Sequence, residues 1–299
     1  MIRMRFSRRH FPASRALTIL LTIGCFNPAA FAATAGPPDA KKKSSPAPTA
    51  GATAKEDRSA SGTDAPTEAK PGSSKKVRVE DVLDGYVEAT GGRDAYAKVK
   101  NRSSVGTYEV VGQGVVFDLT IIEGRPNYRY TYMIATTGRD PVESATDGTR
   151  AWAKIGRLPA KMKEGKGKAL AIRAGYFDRI PDWRKMYTAA RFGGVVTIDG
   201  KPCYKLVLTP TVGLPETHYY DIETKLLVQK EEQFENGGDI MTTKFSDYKE
   251  IDGILIAHQE HIDYAGHQRL KTLKKIEHNI DIPPDQYDPP PYPDPRYSK

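Results

Sequence analysis

The feature that most constrains the fold is an alternation of apolar and polar residues that begins near Ser103 and continues through most of the chain. Phe117, Leu119 and Ile121, for example, are separated by single polar residues. Successive side chains of a β-strand point to opposite faces, so this period of two predicts strands with one buried face. The strand-like runs are 117–121, 128–134, 204–208, 217–221, 226–234, 240–248, 254–264 and 268–276. Asp-Gly pairs, which favour two-residue hairpin turns, lie between β-like runs at 147–148, 199–200 and 252–253.

Helical patterns precede the strands and interrupt them once. Val79, Leu83 and Tyr86 share one face of a predicted helix that ends at Gly91 and Gly92. A short second helix is predicted over 93–100, and a mainly helical insert over 160–191. The pattern therefore indicates a mainly antiparallel β domain with one or two helices. A strongly curved sheet of this kind needs a helix, the insert or a ligand to fill its inner side.

Residues 1–32 have the pattern of a cleavable signal peptide. Basic residues precede an apolar run at 16–24, and Ala30-Phe31-Ala32 has the form of a signal-peptidase site. The run is shorter than the roughly 20 residues that cross a bilayer. Two variants stay open, because 7–11 resembles a twin-arginine signal and Thr22 to Cys25 resembles a lipobox in which Cys25 would be acylated. We expect the periplasm or cell envelope, with a membrane tether if Cys25 carries lipid.

The charge of the chain divides unevenly between its segments. Residues 33–78 are rich in Ala, Pro, Ser and Lys, which predicts a disordered linker, and residues 283–299 form a Pro-rich tail that lies along the surface or is free. The net charge is +8, but the signal contributes five positive charges and the linker four, which leaves −1 for residues 79–299. The folded domain, predicted over 79–282, therefore gives no support to nucleic-acid binding. We expect a monomer.

No catalytic or metal-binding pattern stands out. His258 and His261 are three residues apart on a predicted strand, so they point to opposite faces and cannot share an ion. Asp221 and Asp252 lie in turn sequences, where carboxylates cap backbone amides. Cys203 lies in an apolar run and is interpreted as a small core residue. The sequence thus predicts no enzyme, no cofactor and no metal.

Two sets of residues are candidates for contacts with a ligand or partner. The apolar and aromatic strand positions predict either a ligand cavity or an ordinary packed core, with the tyrosine row favoured as the cavity edge. They are Phe117, Leu119, Ile121, Tyr128, Tyr130, Tyr132, Trp152, Leu206 and Leu208. A basic cluster predicts a solvated loop or, alternatively, a contact for anionic headgroups or for an acidic partner. It consists of Lys154, Arg157, Lys161, Lys163, Lys166, Lys168 and Arg173.

Several stretches together resemble bacterial outer-membrane lipoprotein-sorting-protein-like sequences of the LolA/LolB-like superfamily. They are 82–92, 98–100, 106–109, 144–152, 215–228 and 245–254. The resemblance implies an unclosed antiparallel half-barrel of about 10–11 strands covered by one or two helices. It also implies a non-enzymatic carrier that binds acyl chains, a lipoprotein or another hydrophobic ligand. The alternative is a protein-interaction or envelope-stress-sensing module that uses the same concave sheet.

Overall fold

The computed structural model describes residues 77–138, 140–233 and 239–297. The predicted signal, almost all of the predicted linker, and Cys25 lie outside these residues. The α-helices of the described residues are α1 (Val79–Ala89), α2 (Gly92–Lys98), α3 (Gly165–Ala174) and α4 (Trp183–Met186). The strands are β1 (Asn101–Val110), β2 (Val115–Gly124), β3 (Tyr128–Ala135), β4 (Val142–Thr146), β5 (Ala151–Ile155), β6 (Lys161–Met162), β7 (Tyr187–Ile198), β8 (Lys201–Pro210), β9 (Glu216–Asp221), β10 (Leu227–Gln233), β11 (Ile240–Ile251), β12 (Ile254–Tyr264) and β13 (His267–His278).

All thirteen strands of the described residues form one antiparallel sheet that does not close. The order is β6-β5-β4-β3-β2-β1-β13-β12-β11-β10-β9-β8-β7, so the first and last strands of the chain meet in the middle. Strands β6 and β7 are the two free edges. The predicted fold class, an unclosed antiparallel half-barrel with few helices, is confirmed. The strand count exceeds the prediction partly because β6 has only two residues and β7 begins inside the segment predicted to be helical.

Two of the three predicted Asp-Gly hairpin turns are confirmed by the backbone angles, whereas Asp147 and Gly148 lie in a longer connection between β4 and β5 in which only Gly148 has a positive φ. Asp199 and Gly200 have φ of 48° and 81°, and Asp252 and Gly253 have φ of 50° and 77°. Two consecutive positive φ values characterise the turn whose twist matches that of the paired strands. Aspartate and glycine tolerate this region better than other residues, so these pairs set where β7 turns into β8 and where β11 turns into β12.

The predicted helical insert ends earlier than expected. Helices α3 and α4 lie within 160–191, but the chain becomes strand β7 at Tyr187. The residues that open β7 are mostly exposed, so they lack the alternation that indicates a strand in sequence. Backbone pairing with β8 determines their conformation instead, because a neighbouring strand satisfies amide and carbonyl groups whatever the side chains are.

Helix α1 packs on one end of the sheet. Its buried residues Val82, Leu83 and Val87 pack in a cluster that contains Leu206 and Leu208 of β8. A second cluster lies at the other end, around Leu119 and Met133. Burial of each such side chain contributes about 1.5–3 kcal/mol. The two clusters leave a space between them that the helices cover without filling.

The C-terminal tail lies against the sheet through aromatic and ionic contacts. Tyr287 stacks on Tyr128 with ring centroids 4.9 Å apart, and its carbonyl oxygen accepts a hydrogen bond of 2.8 Å from Trp152 Nε1. Further along, Asp294 Oδ2 lies 2.9 Å from Lys154 Nζ, in an ion pair whose side chains are only 1% and 2% exposed. The tail is therefore held along the surface, which is one of the two arrangements that its composition predicted.

None of the helices in the described residues combines the length and apolar character needed to cross a bilayer.

Candidate ligand-binding cavity

A cavity of about 730 Å³ lies between the sheet and helices α1 and α3. We call the sheet face that lines it the inner face and the opposite face the outer face. The volume falls within the roughly 300–1,000 Å³ typical of small-molecule sites. Part of the lining is apolar, and it includes Leu83, Ile121, Leu170, Met241, Phe245, Ile256, Ile262 and Leu273. The space can therefore accept a hydrocarbon group.

The remainder of the cavity wall carries an unusual amount of charge for an apolar binding site. Eight basic and four acidic side chains line it. The basic ones are Arg102, Arg129, Lys163, Lys166, Arg173, Arg179, Lys230 and Lys271, and the acidic ones are Glu123, Glu216, Glu232 and Glu260. Charged groups are costly to bury unless they are paired and hydrogen-bonded. The cavity is thus amphipathic, with an excess of four positive charges when His218 is neutral.

One charged cluster centres on Glu123 of β2. Arg102 of β1 and Arg129 of β3 stand opposite Glu123 in the strand register, so all three share the inner face. Arg129 forms an ion pair with Glu123, and Arg179, from the segment between α3 and α4, places Nη1 3.1 Å from Glu123 Oε1. Burial alone would raise the pKa of Glu123, but the three guanidinium charges outweigh it and hold that pKa well below its usual range.

A second cluster lies across the cavity on β9 and α3. Glu216 Oε2 is 3.1 Å from His218 Nε2, and Arg173 forms an ion pair with the same carboxylate. The ring of Tyr187 meets that of His218 edge-on, with centroids 6.1 Å apart. Burial would raise the pKa of Glu216, but the hydrogen bond from His218 and the nearby positive charges lower it to about 2.

Glu216 is expected to make the protein sensitive to acid. A carboxylate with a lowered pKa stabilises the fold above its unfolded pKa of 4.5, and this contribution is lost as the pH falls towards about 2. As the pH falls, the free energy of unfolding should therefore decrease less steeply in Glu216→Gln than in the unsubstituted protein. The two slopes should differ by up to about 1.4 kcal/mol per pH unit. Urea titrations across this window measure the slope. Glu277→Gln, at a half-exposed carboxylate, is the control, and equal slopes in both variants would contradict the prediction.

The nine predicted cavity residues fall into three groups. Ile121 lines the cavity. Phe117, Leu119, Leu206 and Leu208 belong to the two packed clusters that flank it. The other four lie on the outer face, beneath or beside the tail, and they are Tyr128, Tyr130, Tyr132 and Trp152. A ligand contact by any of the nine stays a prediction.

The outer-face position of the tyrosine row follows from the register. Arg129 and Thr131 line the cavity, so Tyr130, which lies between them on β3, points away from it. Tyr130 Oη donates a 2.8 Å hydrogen bond to Glu143 Oε2, and its ring contacts that of Trp152 at 6.5 Å. The hydroxyl thus has its polar partner on the outer face, not at a cavity rim.

Sequence reasoning missed the charged cavity wall, although a signal was present. Glu123 continues the spacing of Leu119 and Ile121, so it belongs to a face that was otherwise apolar. Lys271 likewise precedes Leu273 by two residues on β13. A charged residue on an apolar face of a strand indicates either a sheet end or a buried polar site, and the cluster around Glu123 is the second of these.

The predicted basic loop is not a single solvated surface. Lys154 is 1% exposed and paired with Glu143 and Asp294, and Arg173 contacts Glu216. Lys163 and Lys166 line the cavity. The prediction of one solvated cluster is therefore wrong, because the chain between 154 and 173 runs from the outer face of β5 to the cavity side of α3. Proximity in sequence does not place these side chains together.

The remaining polar candidates have structural partners. Asp221 Oδ1 accepts backbone hydrogen bonds from Glu223 and Thr224 at 2.8 and 2.9 Å, which confirms the predicted turn. Cys203 is fully buried, as predicted. His258 is buried, and its Nδ1 lies 3.0 Å from the carbonyl oxygen of Ile256. Across the described residues, no three His, Cys, Asp or Glu side chains converge on a point that could hold a metal ion.

Comparisons with known proteins identify the architecture. No protein-family model matches the chain, and no curated protein matches its sequence. Among solved structures, a DUF1329 family protein from Desulfovibrio piger has a TM-score of 0.51 at 14% identity, covering 70% of this chain and 97% of that one. A LolA superfamily protein from Nitrosomonas europaea has a TM-score of 0.51 at 11% identity, covering 71% and 97%. At these identities the likeness shows a shared LolA-like fold.

Proposed function

We propose that the protein is a non-enzymatic carrier of the periplasm or cell envelope that binds an acyl chain, a lipoprotein or another hydrophobic ligand in its cavity. The observation that carries the proposal is the 730 Å³ space left between two packed clusters and lined in part by apolar side chains. The signal-like residues 1–32 support the location. The LolA-like fold agrees with the role that the sequence resemblance implies.

The apolar part of the cavity wall favours binding of a hydrocarbon group. A hydrocarbon group that enters it removes apolar surface from water on both sides, at about 25 cal/mol per Å². Helix α3, which forms part of the cover, has no fully buried residue, so it contributes few packing contacts that a ligand would have to break. A helix with few buried contacts belongs to the less stable parts of a protein, and it can open locally without global unfolding.

A matched pair of alanines on α3 tests the proposal. Ala171 lines the cavity, whereas Ala169, two residues earlier and also half-buried, does not. Ala171→Trp is expected to weaken binding of a fluorescent acyl probe on the order of tenfold, or about 1.4 kcal/mol, because the indole occupies ligand space. Ala169→Trp should leave the dissociation constant within about twofold of the unsubstituted protein.

Native mass spectrometry of the protein purified from its own cell envelope provides the second measurement. A co-purifying mass of lipid supports the carrier. A protein that is reproducibly free of ligand, and whose fluorescence does not respond to acyl probes, would overturn it. That result would favour the alternative, an interaction or envelope-stress-sensing module that uses the same inner face to bind a protein.

A further inference from the structure

The Glu123 cluster carries more positive charge than its single carboxylate neutralises. Arg129 and Arg179 both pair with Glu123. Arg102 has no carboxylate within 4 Å in the described part of the chain, and its Nε instead donates to His278 Nε2 at 3.1 Å. Each of the other three carboxylates of the cavity wall has a basic partner: Glu260 pairs with Lys271, Glu232 with Lys230 and Glu216 with Arg173. The Glu123 cluster, with three guanidinium groups to one carboxylate, thus holds two of the four excess positive charges of the cavity wall.

Polarity falls steadily along the inner face from this cluster. Three successive cross-strand rows on β1, β2 and β3 differ in their chemistry. The rows are Arg102–Glu123–Arg129, then Ser104–Ile121–Thr131, then Gly106–Leu119–Met133. Residues two apart on a strand lie about 7 Å from each other, so the change from charged to apolar occurs over about 13 Å. This gradient matches the length scale of a polar head joined to a hydrocarbon chain.

The middle row offers hydroxyl groups beside the guanidinium groups. Ser104 and Thr131 are 3% and 5% exposed and line the cavity. Within the described residues their hydroxyls have no hydrogen-bond partner from the protein. Guanidinium and hydroxyl groups are the usual donors to carboxylate and phosphate oxygens, and arginine in particular binds such groups with two parallel hydrogen bonds.

We propose that this end of the cavity binds the anionic head of an amphiphile, a carboxylate or a phosphate, with Arg102 and Arg179 as its main contacts. The hydrocarbon chain then lies along the inner face towards Ile121 and Ile262. This inference rests on the proposed function, because it assigns the head and the orientation of the ligand in the same cavity. It adds that charge, as well as shape, determines which ligands bind.

The test compares ligands that share a chain and differ in the head. Palmitate, hexadecyl phosphate and methyl palmitate are titrated against the full protein by displacement of a neutral acyl probe, at low and high salt. We expect both anionic ligands to bind about tenfold or more tightly than the neutral ester, with the difference shrinking in high salt. Inorganic phosphate, titrated alone, separates a small-anion site from an amphiphile site.

Arginine-to-methionine variants test which side chains make the protein prefer the anionic ligands. Arg102→Met and Arg179→Met should each bring the affinities for palmitate and methyl palmitate closer together by about threefold or more, without weakening binding of the ester. Arg191→Met, at an exposed arginine of β7, should preserve the full difference. The comparison of acid with ester in the unsubstituted protein needs no variant, so it stands even if one variant does not fold.

Each outcome decides a different point. If acid and ester bind equally tightly, the anionic-head site is wrong while the carrier remains supported. If none of the three long-chain ligands binds, the proposed function fails as well. If inorganic phosphate binds as tightly as hexadecyl phosphate, the site takes small anions and the amphiphile is excluded.

Discussion

Replacing Lys154 with methionine is expected to reduce the free energy of unfolding by about 3–5 kcal/mol. Lys154 Nζ lies 2.9 Å from Asp294 Oδ2, 3.4 Å from Glu143 Oε1 and 2.6 Å from the carbonyl oxygen of Gly156. Its side chain is 1% exposed. Removing it takes a positive charge from two buried carboxylates, Glu143 and Asp294, which both also pair with Arg296, and breaking a buried ion pair in this way is costly. Thermal and urea unfolding measure the loss.

The design of this experiment separates charge from packing. Lys275→Met, at a strand lysine that is 66% exposed, should change the stability by less than about 0.5 kcal/mol. Adding Asp294→Asn to Lys154→Met removes one negative charge as well, so the double variant should recover part of the loss. A double variant that simply sums two penalties would show that Lys154 acts through packing and not through its charge.

The same cluster holds the C-terminal tail in place. Arg296 pairs with Glu143 of β4 and with Asp294 beside it, so the tail and two strands share one buried network. In Lys154→Met we therefore expect the tail to be cleaved by protease before the sheet unfolds. The outer-face residue Trp152, which donates to Tyr287, would then become exposed, and a red shift of its fluorescence reports this step.

Replacing Gly91 with alanine is expected to cost about 2–4 kcal/mol. Gly91 has φ of 123°, which other residues adopt only with strain. A Cβ atom there would also lie 2.2 Å from the carbonyl oxygen of Gly253 and 3.3 Å from Cα of Ile254. Both neighbours are backbone, so relief requires α1 to move away from the β11–β12 turn. Because α1 also covers the cavity, the acyl probe should bind more weakly in this variant.

Two other glycines separate the backbone strain expected in Gly91→Ala from the steric clash of its Cβ atom. Gly112 has φ of 76° but nothing within 4 Å of an added Cβ, so Gly112→Ala should show the backbone strain alone, about 1 kcal/mol. Gly85 lies inside α1 with ordinary helical geometry and open space, so Gly85→Ala should stabilise the protein by up to about 1 kcal/mol. If Gly91→Ala proves no worse than Gly112→Ala, the close approach to Gly253 is not important for stability.

The sequence could predict features that depend on local chemistry. The alternation of Phe117, Leu119 and Ile121 predicted a strand with one buried face, and the Asp-Gly pairs predicted hairpins at Asp199 and Asp252, as the backbone angles confirm. Helix α1 could also be predicted from the sequence, because its apolar spacing and the glycines that follow it are local signals within a few residues. The fold class followed from these elements together with the family resemblance.

The sequence by itself therefore determined the elements of this protein, namely a helix followed by many antiparallel strands. Only the tertiary structure decided which face of each strand borders the cavity. The reason is physical: a period of two divides a strand such as β3 into two faces, but both can be covered, and here the tail covers one and the ligand space lies on the other. Glu123 acquires its three arginines from two neighbouring strands and a distant loop, and a pattern along one strand carries no information about such partners.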